Sequence, residues 1–337
     1  MERNFERGIR MKAVRVHGFG LDVPMRLDEI EDARAGEGEV LIRARAIGVH
    51  PVDVSVRAGL HPFHKILAPP YIPGPEAAGE VVEVGAGVEG FRIGQRVCGR
   101  ATGGAYAKLV RLGAPWTLNL PDTYGFAEGA GIAVQFMTAW NAVVINARAA
   151  AGETVLVQGG AGGVGLAAIQ LAKAVGCRVF ATVSSSEKAD LSRSVGADET
   201  INYREEDFAA RCEELTDGRG VDVVIEMVAE KNIDKDIDAI RPMGRIVVVG
   251  TDKGLDPDAS FGVQKALIKD AQIRCMSMVN LPPLLPEVVR GLSPMLETGK
   301  LKMHVFCEMP LVEANAAHDL IWSGDVTGKL VLIPSGA

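Results

Sequence analysis

The residues best placed by type and spacing to do chemistry are Gly159, Gly160, Ala161, Gly162, Gly163, Val164 and Gly165, which run straight out of a β-branched stretch, Thr154 to Gln158, into a helical one, Leu166 to Val175. Glycines there let the chain turn tightly and let backbone amides approach a diphosphate. The amino end of the following helix adds unpaired N–H groups and a favourable dipole. A glycine-rich turn alone is weak evidence, but one that follows a strand, opens a helix and begins a βαβ unit reads as a dinucleotide-binding turn. About twenty residues further on, sheets of this kind that bind NAD carry an Asp or Glu for the ribose hydroxyls. This chain has Ser184, Ser185, Ser186, Glu187 and Lys188 instead. Small hydroxyls and a lysine suit a 2′-phosphate, which a carboxylate would repel, so the segment points to NADPH. Ser184 or Ser185 also has a purely structural use as a helix cap, with Glu187 favoured in the first turn.

Elements that could hold such a turn are visible around it. Strand-like runs at 154–158, 178–183, 199–202, 221–226, 245–250 and 272–278 alternate with helical stretches, the rhythm of parallel strands joined by crossover helices. They predict an α/β fold with a doubly wound parallel sheet whose ligands sit at the carboxyl ends of the strands. Residues 12 to about 128 lack that rhythm and show short strands with glycine turns, at 40–49, 80–84, 96–99 and 105–111. Beyond 280 the pattern gives a helix (285–297), a strand near 303–307, a helix (312–322) and a strand (330–333). That tail is too short to bury a core alone, so it is expected to fold back on the amino-terminal region. The boundaries follow: 1–133 with 280–337 as one domain, 134–279 as the nucleotide-binding domain.

Composition narrows the class. A length of 337 residues exceeds one ordinary core, and a net charge of −7 lacks the basic field that nucleic acid requires as a main partner. No apolar run approaches the ~20 residues that span a bilayer. The first ten residues mix Arg and Glu without an apolar block, so a cytoplasmic location is expected. The five cysteines are scattered and form no CxxC pair.

Longer motifs carry a resemblance. GVHPVDVSVRAG (48–59), PYIPGPEAAGEVVEVGAGVEGFRIGQRV (70–97), GAYAKL (104–109), VQFMTAW (134–140), GETVLVQGGAGGVGLAAIQLAK (152–173), VDVVIEM (221–227), GRIVVVG (244–250) and TGKLVL (327–332) make the chain similar to the zinc-independent, ζ-crystallin-like quinone oxidoreductases of the medium-chain dehydrogenase/reductase superfamily. The resemblance covers nearly the whole length from Met11. It implies a Rossmann sheet joined to a GroES-like β-rich barrel domain, NADPH as cofactor, and a homodimer or homotetramer built largely through the nucleotide domain. By position it places Gly160, Ala161, Gly162, Gly163 and Val164 along the pyrophosphate, and Ser184, Lys188 and Tyr203 around the adenosine end. Thr138 would lie toward the nicotinamide, Gly250, Thr251, Ser277 and Met278 along the rest of the trough, and Lys329 near the 2′-phosphate.

The same resemblance bears on metal and mechanism. Zinc-bearing relatives use Cys where this chain has His50 and His where it has Pro75, and their structural zinc lobe has four close cysteines where only Cys98 stands after Val97. A tetrahedral zinc site needs three or four ligands, and His61 with His64 offers two, so no metal is expected. The family's active-site loop carries Asn, Asp, Tyr and Tyr at positions matching His50, Asp53, Ser55 and His61; only Asp53 is kept. Two imidazoles, the side chains suited to proton transfer at physiological pH, thus enter the loop, and Asp53 with Arg57 is a candidate ion pair holding it. The expected activity is hydride transfer from NADPH to a quinone or α,β-unsaturated carbonyl compound. A 2-enoyl thioester reductase and a non-catalytic NADPH-binding protein remain as alternatives.

Overall fold

The computed structural model describes residues 10–254 and 258–334, so most of the segment 1–10 discussed above lies outside the described residues. The chain divides into two compact units: Met1–Val134 with Val305–Ala337, and Gln135–His304.

In the first unit the strand Glu39–Val49 pairs antiparallel with Glu76–Val84, which pairs with Arg96–Ala101 and in turn with Leu109–Asn119. Leu109–Asn119 returns to pair with Glu39–Val49, closing a barrel that leaves no free edge among these four strands. Alternation sets the register: Val40, Ile42, Ala44, Val81, Val97, Val110 and Leu112 are buried while Arg43 and Arg45 point out. The carboxyl-terminal strand Lys329–Ile333 joins Glu39–Val49 antiparallel, and Val305–Pro310 lies parallel beside it. The fold-back expected for the tail is therefore real for residues 305 onward.

The second unit holds a six-stranded parallel sheet. In chain order its strands are Thr154–Val157, Arg178–Val183, Glu199–Asn202, Val221–Glu226, Ile240–Val248 and Gln272–Cys275, and in space they run 3-2-1-4-5-6, the doubly wound order. Register aligns Ile246, Val224, Leu156 and Phe180 across four strands, and all four are fully buried. Each is worth about 1.5–3 kcal/mol over its exposed state.

The expected boundary at 279/280 moves to 304/305. The helix Leu285–Glu297 turns Leu285, Val288, Leu292 and Leu296 inward at helical spacing, and Gly291 sits where a side chain would strike the Trp140 ring. That apolar face belongs to the nucleotide unit, so 280–304 stays with it. No helix among the described residues is long and apolar enough to cross a membrane.

Candidate active site

Almost every residue expected at the cofactor lies where a strand of the parallel sheet ends. The turn 159–165 follows Thr154–Val157, Ser184 follows Arg178–Val183, and Tyr203 follows Glu199–Asn202 with its N–H donating to the Val183 carbonyl at 3.1 Å. Gly250 and Thr251 follow Ile240–Val248, and Ser277 and Met278 follow Gln272–Cys275. Thr138 stands apart, buried in the helix Ala133–Trp140.

The turn is built for close approach. Gly159 has φ +64°, and a Cβ at Gly165 would overlap the Gly159 carbonyl oxygen, so strand, turn and helix touch backbone to backbone. The helix Gly163–Val175 makes its first internal bond from Leu166 N–H to Gly162, which leaves the N–H groups of Gly163, Val164 and Gly165 ahead of the ladder. A diphosphate fits that end by charge and by donors. At the tip of the second strand Ser185 caps the helix Ser186–Ser194 by accepting from Lys188 N–H at 3.3 Å. The capping reading of Ser185 thus holds, while Ser184 is buried and Lys188 is half-buried beside it. Tyr203 is 51% exposed, so it presents a ring face to solvent and not to the core.

Beneath the turn runs a polar chain that the sequence did not disclose. Gly159 N–H donates to Thr182 Oγ1 (3.0 Å), Thr182 to Gln158 Oε1 (2.7 Å), and Gln158 Nε2 to Asp236 Oδ1 (2.8 Å). Asp236 and Glu226 are fully buried and interact with each other, Asp236 Oδ2 and Glu226 Oε2 have no other hydrogen-bond partner among the described residues, and Glu226 Oε1 accepts from Val228 N–H. Burial, then mutual repulsion, pushes the Asp236 carboxyl well up, and burial raises Glu226 as well, so the pair holds a shared proton. Folded-state values above the unfolded ~4 mean that stability is present below pH ~4 and is lost as pH rises through the folded pKa. Glu226→Gln is expected to flatten this fall: in urea titrations its stability relative to wild type should be on the order of 1–2 kcal/mol better at pH 8 than at pH 5. An offset equal at both pH values would remove the shared proton from the account.

In the first unit the active-site loop residues meet a buried charge cluster. His50 follows the strand Glu39–Val49 and precedes the helix Pro51–Arg57. Its N–H donates to Asp53 Oδ2 at 3.0 Å and its carbonyl accepts from Asp53 N–H at 3.0 Å, a reciprocal cap. Lys329 Nζ lies 2.7 Å from His50 Nε2 and 2.9 Å from Glu76 Oε1, and all three residues are buried. His50 Nε2 also stands 3.2 Å from Glu76 Oε1, but the ammonium is nearer and has only protons to offer, so toward Lys329 the imidazole Nε2 accepts and the ring proton goes to Nδ1. Glu76 Oε2 accepts from Val134 N–H (2.8 Å). Burial works against the Glu76 carboxylate, but the Lys329 ammonium beside it holds its pKa below the ordinary value; burial makes Lys329 easier to deprotonate than a surface lysine. Gly48 makes room for this: a Cβ there would stand 2.5 Å from Lys329 Cε and 2.7 Å from Glu76 Oε1.

Lys329 was expected at the 2′-phosphate. It is instead 1% exposed in the first unit with its ammonium committed to Glu76 and His50, because the short strand that carries it is buried at this residue. The Asp53–Arg57 ion pair is also replaced. Arg57 donates to the carbonyls of Leu21 (2.9 Å) and Val23 (3.2 Å) and toward His318 Nδ1 (3.5 Å). His318 then gives its Nε2 proton to Tyr106 oxygen (3.1 Å) and the Tyr106 hydroxyl donates to Asp53 Oδ2 (3.1 Å). Burial brings His318 down to about 3, with Arg57 adding to it, so the imidazole is neutral and can carry this directional relay. Burial likewise raises Asp53. Ser55 Oγ donates to Pro51 carbonyl (3.2 Å).

His61 sits apart from His50 in contacts. Its Nδ1 accepts from Phe63 N–H (3.2 Å), its N–H reaches Ser55 carbonyl (3.2 Å), and burial, then His64, lowers its pKa. A cavity of about 290 Å³ opens beside Asp53, lined by Val52, Val56, Phe63, Leu67 and Tyr71. The Tyr71 hydroxyl, raised to about 12 by burial and then Asp53, is buried with no hydrogen-bond partner among the described residues. Glu76, Tyr71 and Tyr106 were missed because each is a lone polar residue among apolar, Gly and Pro neighbours, and His318 because it sits in an ordinary helical stretch; sequence alone reads none of the four as brought together.

Among the described residues no group of three or more His, Cys, Asp or Glu side chains gathers as metal ligands. Residues 36–149 match the alcohol dehydrogenase GroES-like domain family, and 163–296 the zinc-binding dehydrogenase family. The chain is 35% identical to the quinone oxidoreductase of Rattus norvegicus over 96% of its own length and 98% of that protein. It is 33% identical to a 2-haloacrylate reductase from Burkholderia sp, covering 91% and 94%. A mycobacterial protein solved in complex with NADPH superposes with a TM-score of 0.87 at 30% identity, covering 96% of this chain and 100% of that one. Two family domains in this order and identity sustained over the full length lead to one assignment: the chain belongs to the quinone oxidoreductase family of the medium-chain dehydrogenase/reductase superfamily and is an oxidoreductase of that class.

Proposed function

We propose that the chain uses NADPH to reduce a quinone or another α,β-unsaturated carbonyl compound, without a metal. The observation that carries the cofactor choice is the tip of the second strand, where Ser184 and Lys188 stand in place of a carboxylate, with the exposed Tyr203 at the end of the neighbouring third strand. The NADPH bound by the mycobacterial structure supports the same reading. When bound, the cofactor supplies the hydride. The chain's own residues do the rest: the turn 159–165 holds the diphosphate, Lys188 faces the 2′-phosphate, and Tyr203 flanks the adenine.

Reduction leaves charge on the carbonyl oxygen, which needs a proton. His50 donates it from Nδ1 while Lys329 passes one of its protons to Nε2, so the imidazole stays neutral and Lys329 ends as the free amine. Asp53, tied by Tyr106 and the His50 backbone, fixes the loop during this exchange. The metal-free reading rests on the same geometry: an ammonium 2.7 Å from His50 Nε2 repels a divalent cation, and Pro75 has no ligating atom. Conjugation is common to the acceptors named for two relatives, a quinone and a 2-haloacrylate. Assembly into a homodimer or homotetramer, countable by light scattering, is proposed through the nucleotide unit, where Val263, Leu267 and Ile268 are 62%, 70% and 81% exposed.

The test is NADPH oxidation with 9,10-phenanthrenequinone and with 2-cyclohexenone after chelator dialysis. Expected is turnover with at least one, with kcat/KM for NADH about tenfold lower or worse, and Lys188→Ala narrowing that preference about tenfold. Equal rates with both cofactors would defeat the NADPH assignment, and tight binding without any turnover would favour the non-catalytic alternative.

A further inference from the structure

We propose that the nucleotide unit carries a second anion site, at the opposite end of the parallel strands from the glycine turn, which takes a dianionic phosphate group. A cavity of about 380 Å³ there is lined by Arg148, Arg241, Arg245 and Arg274, with Met243 and Gln272. Its level in the sheet is set by register: Arg245 pairs with Gln272, the first residue of the edge strand, and with Val223, which pairs with Val155 near the start of the first strand. The glycine turn leaves the other end of that strand. Gln272 and Arg274 are two apart and so share a face with Arg245.

Four guanidinium groups around one cavity repel one another unless anions intervene. The protein provides two carboxylates. Glu153 accepts from Arg245 through both oxygens at 2.6 Å, and Asp222 Oδ1 pairs with Arg241 while also meeting Arg219 at 3.2 Å. The other two cations are left over. Among the described residues the only hydrogen bond of the Arg274 guanidinium is to the Asn146 carbonyl at 2.9 Å, and the Arg148 side chain makes no hydrogen bond or ion pair. Arg245 Nε is buried with no partner. Two unneutralised charges and an orphan N–H match a dianion with three or more oxygens, and planar guanidinium forks bind phosphate oxygens in pairs. Arg148 and Met243 on the rim also hold the left-handed backbone region, at φ 51° and 63°, where residues with a side chain are strained. Such strain gathers at functional sites.

The ligand is a phosphate dianion, either inorganic phosphate or the end of a small phosphomonoester. The experiment is titration calorimetry of the full-length chain, with saturating NADPH to fill the turn and again without it, at constant ionic strength. Inorganic phosphate, 3-phosphoglycerate and sodium chloride are the injected probes. One saturable equivalent per chain is expected for a phosphate probe and none for chloride, with a loss of tenfold or more in affinity in the Arg148→Ala/Arg274→Ala double variant and unchanged reductase activity. Tighter binding of 3-phosphoglycerate supports the metabolite source, tighter binding of inorganic phosphate the free ion; both support the site. No saturable heat, or equal affinity in the double variant, overturns it. The comparison of wild type with double variant holds whether or not NADPH proves to be the cofactor, so the two readings fail separately.

Discussion

Lys329→Met is expected to lower the stability of the chain by about 3–5 kcal/mol in urea unfolding at pH 7, far more than a surface lysine would. The variant leaves Glu76, 0% exposed, with its carboxylate in the barrel wall and without the ammonium that faces it, although backbone donors such as the Val134 N–H remain. Removing one partner of a buried pair is costly because the surviving charge has no solvent, whereas removing both is often close to neutral. The double variant Glu76→Gln/Lys329→Met should therefore recover most of the loss. Acid should narrow the gap between wild type and Lys329→Met. The folded pKa of Glu76 is depressed, so its contribution is present above the unfolded value of ~4.3 and fades as pH falls through the folded one. A cost below about 1 kcal/mol that is the same at pH 4 and pH 7 would show that the ion pair does not hold this wall. The same variant should lose kcat with the proton that Lys329 passes to His50, while KM for NADPH stays within about twofold.

Gly165→Val is expected to abolish pyridine nucleotide binding, by at least about 100-fold, because its Cβ would overlap the Gly159 carbonyl and push the helix from the turn. Gly162→Ala provides the contrast. Its added Cβ would meet the Gly159 oxygen at 3.5 Å, an ordinary contact, so folding should be unaffected and only the approach to the diphosphate impaired. Fluorescence titration with NADPH and thermal unfolding separate the two effects. Unimpaired binding by Gly165→Val would sink the assignment of the turn.

Periodicity carried most of the fold. Three strands of the parallel sheet, Arg178–Val183, Glu199–Asn202 and Val221–Glu226, and the helix Leu285–Glu297 lie where the apolar pattern places them, because parallel strands covered on both faces read as short continuous apolar runs. Ownership of that last helix was not legible. An amphipathic helix shows that it packs, but not on which core, and only the small side of Gly291 against Trp140 settles it. The glycine turn could be read because its function is a backbone property written in residue type. The barrel cluster could not, since Lys329, Glu76 and His50 are far apart in sequence and meet only through strand pairing of Val49 with Leu330 and Gly48 with Glu76. A lysine in a terminal strand looks exposed until its register is known.

That pairing has a consequence for biosynthesis. Glu76 leaves the ribosome early, but its countercharge arrives with residue 329, after the whole of 135–304. Nascent barrel strands must therefore wait with an uncompensated acid, and the intervening unit, continuous in sequence, is free to mature first. Ribosome-stalled chains ending before the last strand should consequently bind nucleotide while their barrel portion stays sensitive to protease.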